Sequence, residues 1–163
     1  MSTPTSTVAE QAHWLRRVAM QAVHAPPVTV DLAMAALRDA LPGMPLLASD
    51  EAGRPAFWLV PLLQGDHACG CVRVDLNGRV VQVSTFGAGP RDTAAWPQAQ
   101  YFSAPPQRLV EEVRARHPDA ALGAPMFSFD ASPARWAWRI AIGEQRIAYV
   151  APTGWYERPA GRR

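Results

Sequence analysis

The chain contains no lysine; all sixteen of its basic residues are Arg. That excludes Schiff-base catalysis and P-loop phosphate binding, which both need a lysine amine. Alongside sixteen Pro and abundant Ala, the absence reads as coding bias of a GC-rich genome rather than as chemistry. Charge is also scarce, at 18% of residues with a formal net charge of +2. The Arg residues are spread along the chain and cluster only at Arg158, Arg162 and Arg163. A nucleic-acid binder shows a concentrated basic stripe, so nucleic acid is not an expected partner. No apolar run approaches the roughly 20 residues of a membrane-spanning helix. Met1 to Thr7 lacks the basic start and apolar stretch of a signal peptide. As written, the chain reads as cytoplasmic, or as extracytoplasmic if an export signal was removed.

What is present is the composition of a globular protein. The apolar fraction is 48%, and 163 residues suffice for one ordinary domain or two very small ones. Residues 8–24 read as a helix, with Val8, Leu15, Val18, Ala19 and Ala22 at helical spacing, ended by Pro26-Pro27. A second helical segment starts at Thr29 or Asp31 and runs to Leu41 before Pro42-Gly43. Strands are expected over Pro45–Ser49, Ala56–Leu63, Cys69–Leu76 and Arg79–Thr85, with Asn77-Gly78 the clearest hairpin turn. Residues 87–106 are rich in Gly, Pro, Ala and Gln and read as a linker or long surface loop. A helix over Gln107–Arg116 follows, then strands over Ala124–Phe129, Arg135–Ile142 and Gln145–Val150, and an extended Trp155–Arg158.

The two halves match element for element. Pro42 and Gly78 stand 36 positions apart (78 − 42), and so do Pro118 and Gly154 (154 − 118). Within that frame Leu37 corresponds to Val113 and Val74 to Val150. Self-similarity at a fixed spacing marks one supersecondary unit used twice. The expected fold class is therefore α+β, with two tandem helix-plus-three-stranded antiparallel repeats and an extra N-terminal helix. The expected boundaries are 1–28 for the N-terminal helix and tail, 29–86 and 107–158 for the repeats, 87–106 for the linker and 159–163 for a basic tail. About 50 residues is marginal for a core, so two units abutting would bury what one leaves exposed.

Each half resembles a PepSY-type domain, a small unit of bacterial peptidase propeptides and cell-envelope proteins. The first half carries Leu41-Pro42-Gly43, Gly53-Arg54-Pro55 and Asp75-Leu76-Asn77-Gly78-Arg79-Val80. The second keeps His117-Pro118 and Thr153-Gly154 but has Ala151 where the pattern has an acidic residue. The resemblance covers about residues 31–85 and 107–158. It implies a non-catalytic module that binds or restrains a protein partner.

Chemistry-bearing residues are few. His67, Cys69 and Cys71 alternate along an expected strand and would face the same way, which makes a metal contact conceivable. Their spacing matches no zinc pattern, and no second Cys pair completes a tetrahedron. The two cysteines also sit too far apart along a strand for a relaxed disulfide. They are read as structural, with a metal- or small-molecule-binding site near them as the alternative function. A Cys–His nucleophilic pair would need His13, His24 or His117 brought close by the fold. Gly87-Ala88-Gly89-Pro90 lacks the setting of a nucleotide loop. No catalytic residue and no cofactor is expected. Trp136 and Trp138 form a same-face stripe, read as core. The residues read as contacting a partner are Trp96 and Tyr101 in the linker and Trp155, Tyr156 and Arg158 near the end. That partner is a protein or a second copy of the chain; pairing through an edge strand is one way to self-associate.

Overall fold

The computed structural model describes residues 7–87 and 92–161. The tail residues Arg162 and Arg163, and Ala88-Gly89-Pro90 of the glycine-bearing loop, lie outside the described residues, as do residues 1–6 of the expected N-terminal tail. The fold is mixed α+β, with few helices and one nine-stranded sheet.

The first helix, α1, spans Val8–Val23. Thr7 caps it: its hydroxyl accepts from the Glu10 amide at 3.3 Å, and its own amide donates to Glu10 Oε2 at 2.7 Å. Two orphan amide donors are thereby satisfied at the helix start. The apolar face buries Leu15, Ala19 and Val23. The second helical segment is shorter and tighter than its periodicity suggests. It is a 3-10 turn over Leu32–Leu37, capped by Asp31, whose carboxylate accepts from the Ala33 amide at 2.8 Å. The reason lies just beyond it. Leu41–Pro42 is already strand β1, paired with Leu63 and Leu62, so the chain must be extended there and the helical segment stops short of it.

Strands β2 (Leu46–Ser49), β3 (Pro55–Gln64), β4 (His67–Asp75) and β5 (Val80–Thr85) follow, then helix α2 (Gln107–Arg116), then β6 (Met126–Phe129), β7 (Trp136–Ile142), β8 (Arg146–Val150) and β9 (Trp155–Pro159). The hydrogen-bonded order is β5-β4-β3-β2-β6-β7-β8-β9, with β1 on β3. The turns are built by aspartates. Asp50 Oδ1 accepts from the Ala52 and Arg54 amides, both at 2.9 Å. Asp75 Oδ1 does the same for Asn77 and Arg79, at 2.9 and 2.8 Å. Gly78 takes φ +89, which accounts for the Asn-Gly signal there. The first half thus carries five strands, β1 to β5, and the second four, β6 to β9, rather than three each.

Contacts divide the chain into two compact units that interleave in sequence. One comprises Met1–Leu46 and Trp58–Ala99; the other comprises Leu47–Phe57 and Gln100–Arg163. Leu47–Phe57 therefore belongs with the C-terminal segment, not with the rest of residues 29–86. In the first unit α1, Val28, Leu37 and Ala40 pack on Val60, Leu62, Cys69, Val72 and Val74. In the second, Tyr101, Phe102, Phe127, Trp136 and Trp138 form a contiguous aromatic cluster with ring centroids 5.3–5.9 Å apart. Trp138 is a core residue, as its alternation suggests, whereas Trp136 is half-buried. Trp138 Nε1 donates to the Tyr101 carbonyl at 2.8 Å, which meets the need of a buried indole N–H for an acceptor. The described part of the 87–106 segment holds two 3-10 turns, Thr93–Ala95 and Ala99–Phe102, and its Tyr101 and Phe102 are buried. Among the described residues no helix is long and apolar enough to cross a membrane.

Candidate functional site

In the second unit Glu112, His117, Asp130, Arg146 and Tyr149 meet side chains of β9. It pairs with β8 in an unbroken antiparallel register, Val150 opposite Trp155 through Arg146 opposite Pro159. Alternate side chains of a strand point to opposite faces, and here both faces are used. On one, the Trp155 indole N–H donates to Glu112 Oε2 of α2 at 3.2 Å. On the same face Glu157 accepts from His117 Nε2 at 2.6 Å and from Arg146 Nη1 at 2.8 Å. These two donors, His117 first, hold the Glu157 carboxyl below the usual range, against a smaller opposing effect of burial.

On the other face the Tyr156 hydroxyl donates to Asp130 Oδ2 at 2.9 Å, and Arg158 Nε donates to the same oxygen at 2.8 Å. The Tyr156 ring stacks on Tyr149 at 5.5 Å, with the Arg158 guanidinium 5.9 Å from its centroid. Asp130 is fully buried, and its Oδ1 has no hydrogen-bond partner. Burial first, then the hydrogen bond to the Asp130 carboxylate and its charge, pushes the Tyr156 phenol up to about 12.

Between α2 and β9 lies an open cleft of about 610 Å³, lined by Glu112, Ala115, Arg116, Trp155, Tyr156 and Glu157. Glu112 is paired with Arg108 at 2.5 Å, and Glu157 with His117 and Arg146. Arg116 has no acidic partner among the described residues. The cleft thus combines a partly exposed indole with two carboxylates held in place by ion pairs and one cation, Arg116, that has no acidic partner among the described residues.

Of the five residues expected to contact a partner, Trp155, Tyr156 and Arg158 come together on β9. Tyr101 is elsewhere in the same unit and buried. Its hydroxyl donates to the Val150 carbonyl at 3.0 Å, and burial pushes its phenol well up. Trp96 belongs to the first unit, where its indole N–H donates to the Phe86 carbonyl at 3.0 Å. It borders a hollow of about 480 Å³ with Gln64, Gly65, His67 and Thr93. His67 is exposed at the start of β4, whereas Cys69 and Cys71 are buried. The Cys69 thiol donates to the Leu62 carbonyl at 3.3 Å. Burial raises Cys69 to about 11 and Cys71 to about 12, so both stay as thiols at neutral pH and neither is an activated nucleophile. Among the described residues no group of three or more His, Cys, Asp or Glu side chains is placed to hold a metal ion.

Asp130, Glu157, Arg146 and Arg116 were not legible as site residues, and His117 figures in the sequence only as a partner for a cysteine. Asp130 reads as an ordinary turn opener, like Asp50 and Asp75. The one signal was the alternation Trp155-Tyr156-Glu157-Arg158, which gives each face of β9 one aromatic and one charged residue. No protein-family model matches this chain, and neither curated proteins nor solved structures give a significant match.

Proposed function

We propose that the chain is a non-catalytic protein-binding or regulatory module, built from PepSY-like repeats, which takes its partner at the α2–β9 cleft. The observation that carries this reading is the partly exposed Trp155 indole, set between two carboxylates already committed to ion pairs. Such an arrangement offers apolar contact area at little ordering cost, because those carboxylates are already held. Aromatic anchors of this type dominate binding energy at protein interfaces. The raised thiols of Cys69 and Cys71 weigh against nucleophilic catalysis. The repeat reading draws support from the equal Pro-to-Gly spacing and from strands that neighbour one another in chain order in each half, β2 to β5 and β6 to β9.

The test is selection of a random eight-residue peptide library on the folded chain. Selected peptides are expected to bind Trp155→Ala at least tenfold more weakly, on the scale of an interface hot spot. Val30→Ala, at an exposed position of the first unit, should leave binding unchanged. Peptides indifferent to Trp155→Ala, or the selection of none, would overturn the reading. The alternative, a small-molecule or metal site near His67, Cys69 and Cys71, is favoured by the hollow beside His67; stoichiometric zinc in the purified protein would promote it.

A further inference from the structure

We infer that the outer edge of β9 is a strand-addition site for an extended segment of another protein, one that carries an acidic residue toward Arg116. The inference rests on the docking reading above and specifies how the partner is held. β9 ends the strand order, and among the described residues β8 is its one strand neighbour.

The register fixes which backbone groups are free. In an antiparallel pair, residues that exchange hydrogen bonds alternate with residues whose N–H and C=O point away from the neighbour. Beyond the two ends of the pairing, the Ala151 amide donates to the Gly154 carbonyl and the Ala160 amide donates to the Gln145 carbonyl, both at 2.8 Å. Stepping in by twos from either bond gives the same answer. Tyr156 and Arg158 bond inward, to Tyr149 and Ile147, and Trp155, Glu157 and Pro159 face outward. Pro159 has no N–H. The free edge therefore offers two donors, on Trp155 and Glu157, and three carbonyl acceptors. Another extended strand meets such a row.

Two features say what kind of strand it is. First, charges that would guard an edge are turned away from it. Glu157 is engaged by His117 and Arg146, and Arg158 by Asp130. The edge is open, and an added strand would lay alternate side chains over the cleft, where Arg116 stands without an acidic partner. Second, a copy of β9 itself fits poorly. A two-fold pairing centred on Glu157 would set Glu157 against Glu157, a like-charge cross-strand pair. It would also set Trp155 against Pro159, which has no donor to return. A different, acid-bearing segment meets neither obstacle.

Peptides selected from the random eight-residue library supply the probe. On binding, hydrogen exchange followed by NMR should slow at least tenfold at the Trp155 and Glu157 amides. The Tyr156 and Arg158 amides, already bonded to β8, should change little. Selected peptides should be enriched in Asp or Glu, and Arg116→Gln should weaken them several-fold. If Trp155→Ala abolishes binding but the two amides exchange as before, strand addition fails while the docking reading stands. Loss of all Trp155-dependent binding sinks both. Protection of the Glu157 amide in a dimer of the chain alone, without peptide, would overturn the choice of partner. Selection without acidic residues, or binding indifferent to Arg116→Gln, would overturn the acidic element.

Discussion

Asp50, Asp75 and Asp130 open turns between strands, and Asp130 is used differently. Asp50 and Asp75 spend Oδ1 on amides of their own turns. All three turns close through main-chain bonds, the Asp130 turn by Asp130 N–H to the Arg135 carbonyl and Arg135 N–H to the Ser132 carbonyl, but here the carboxylate takes no amide of its own turn. Glu51 takes the Ala131 amide at 2.9 Å, where Ala131 sits at φ +59, a conformation that costs a non-glycine residue about 1–2 kcal/mol. The Asp130 carboxylate is left free to serve Tyr156 and Arg158. Its charge helps hold Tyr156 neutral, so Asp130→Asn should bring the Tyr156 phenol down from about 12 toward its ordinary value of 10. Because the folded-state value is raised, the associated stability is present below about pH 10 and is lost as pH rises toward 12. Ultraviolet titration of the wild type and variant checks this; an unchanged tyrosine titration would contradict it. None of this was visible in the residue types. The run Asp130-Ala131-Ser132-Pro133 announces a turn, but only the three-dimensional neighbours decide where its carboxylate points.

Most regular elements were legible because their periodicity and their stop residues agree. The expected Gln107–Arg116 helix is α2 to the residue, and α1 matches to within one position. The strands lie where alternation and turn chemistry put them, each within a residue or two. The exception, residues 29–41, had helical spacing, but its end, Leu41–Pro42, is drawn into pairing with β3 and the part before it forms a 3-10 turn. Gly70 is a second case. It reads as a small residue between two cysteines, yet a Cβ there would lie 2.2 Å from the Ser84 carbonyl oxygen and 2.6 Å from Leu37 Cδ2. The close approach of β4 to β5 and to the 3-10 turn depends on that missing carbon. Gly70→Ala should destabilise the fold by about 3 kcal/mol, the upper range for an overpacked core. Denaturant unfolding would detect it, and a change below about 1 kcal/mol would refute the crowding argument.

At the scale of the whole chain, the two compact units are not two consecutive stretches. Leu47–Phe57 completes the second unit: Ser49 accepts from the Ser128 hydroxyl at 2.7 Å, Glu51 holds the Ala131 amide, and Phe57 stacks on Phe129 at 5.6 Å. A fragment of residues 100–163 should therefore remain largely unfolded alone and gain structure when residues 1–99 are added. Circular dichroism and amide NMR spectra of the fragment with and without its complement measure this; a well-dispersed spectrum from 100–163 alone would contradict it. Local sequence by itself determined the helices, the strand alternation, the turn positions, the equal spacing of the two halves and the aromatic-charged alternation of Trp155 to Arg158. These depend on forces acting within a few residues. Tertiary structure alone decided that β2 and the start of β3 join the C-terminal unit, that Asp130 is buried under Tyr156 and Arg158, and that α2 and β9 enclose a cleft. Those outcomes depend on pairings between segments distant in sequence. Strand register and side-chain partners there are set by which apolar faces and hydrogen-bonding edges meet, and periodicity along one strand carries no record of its neighbour.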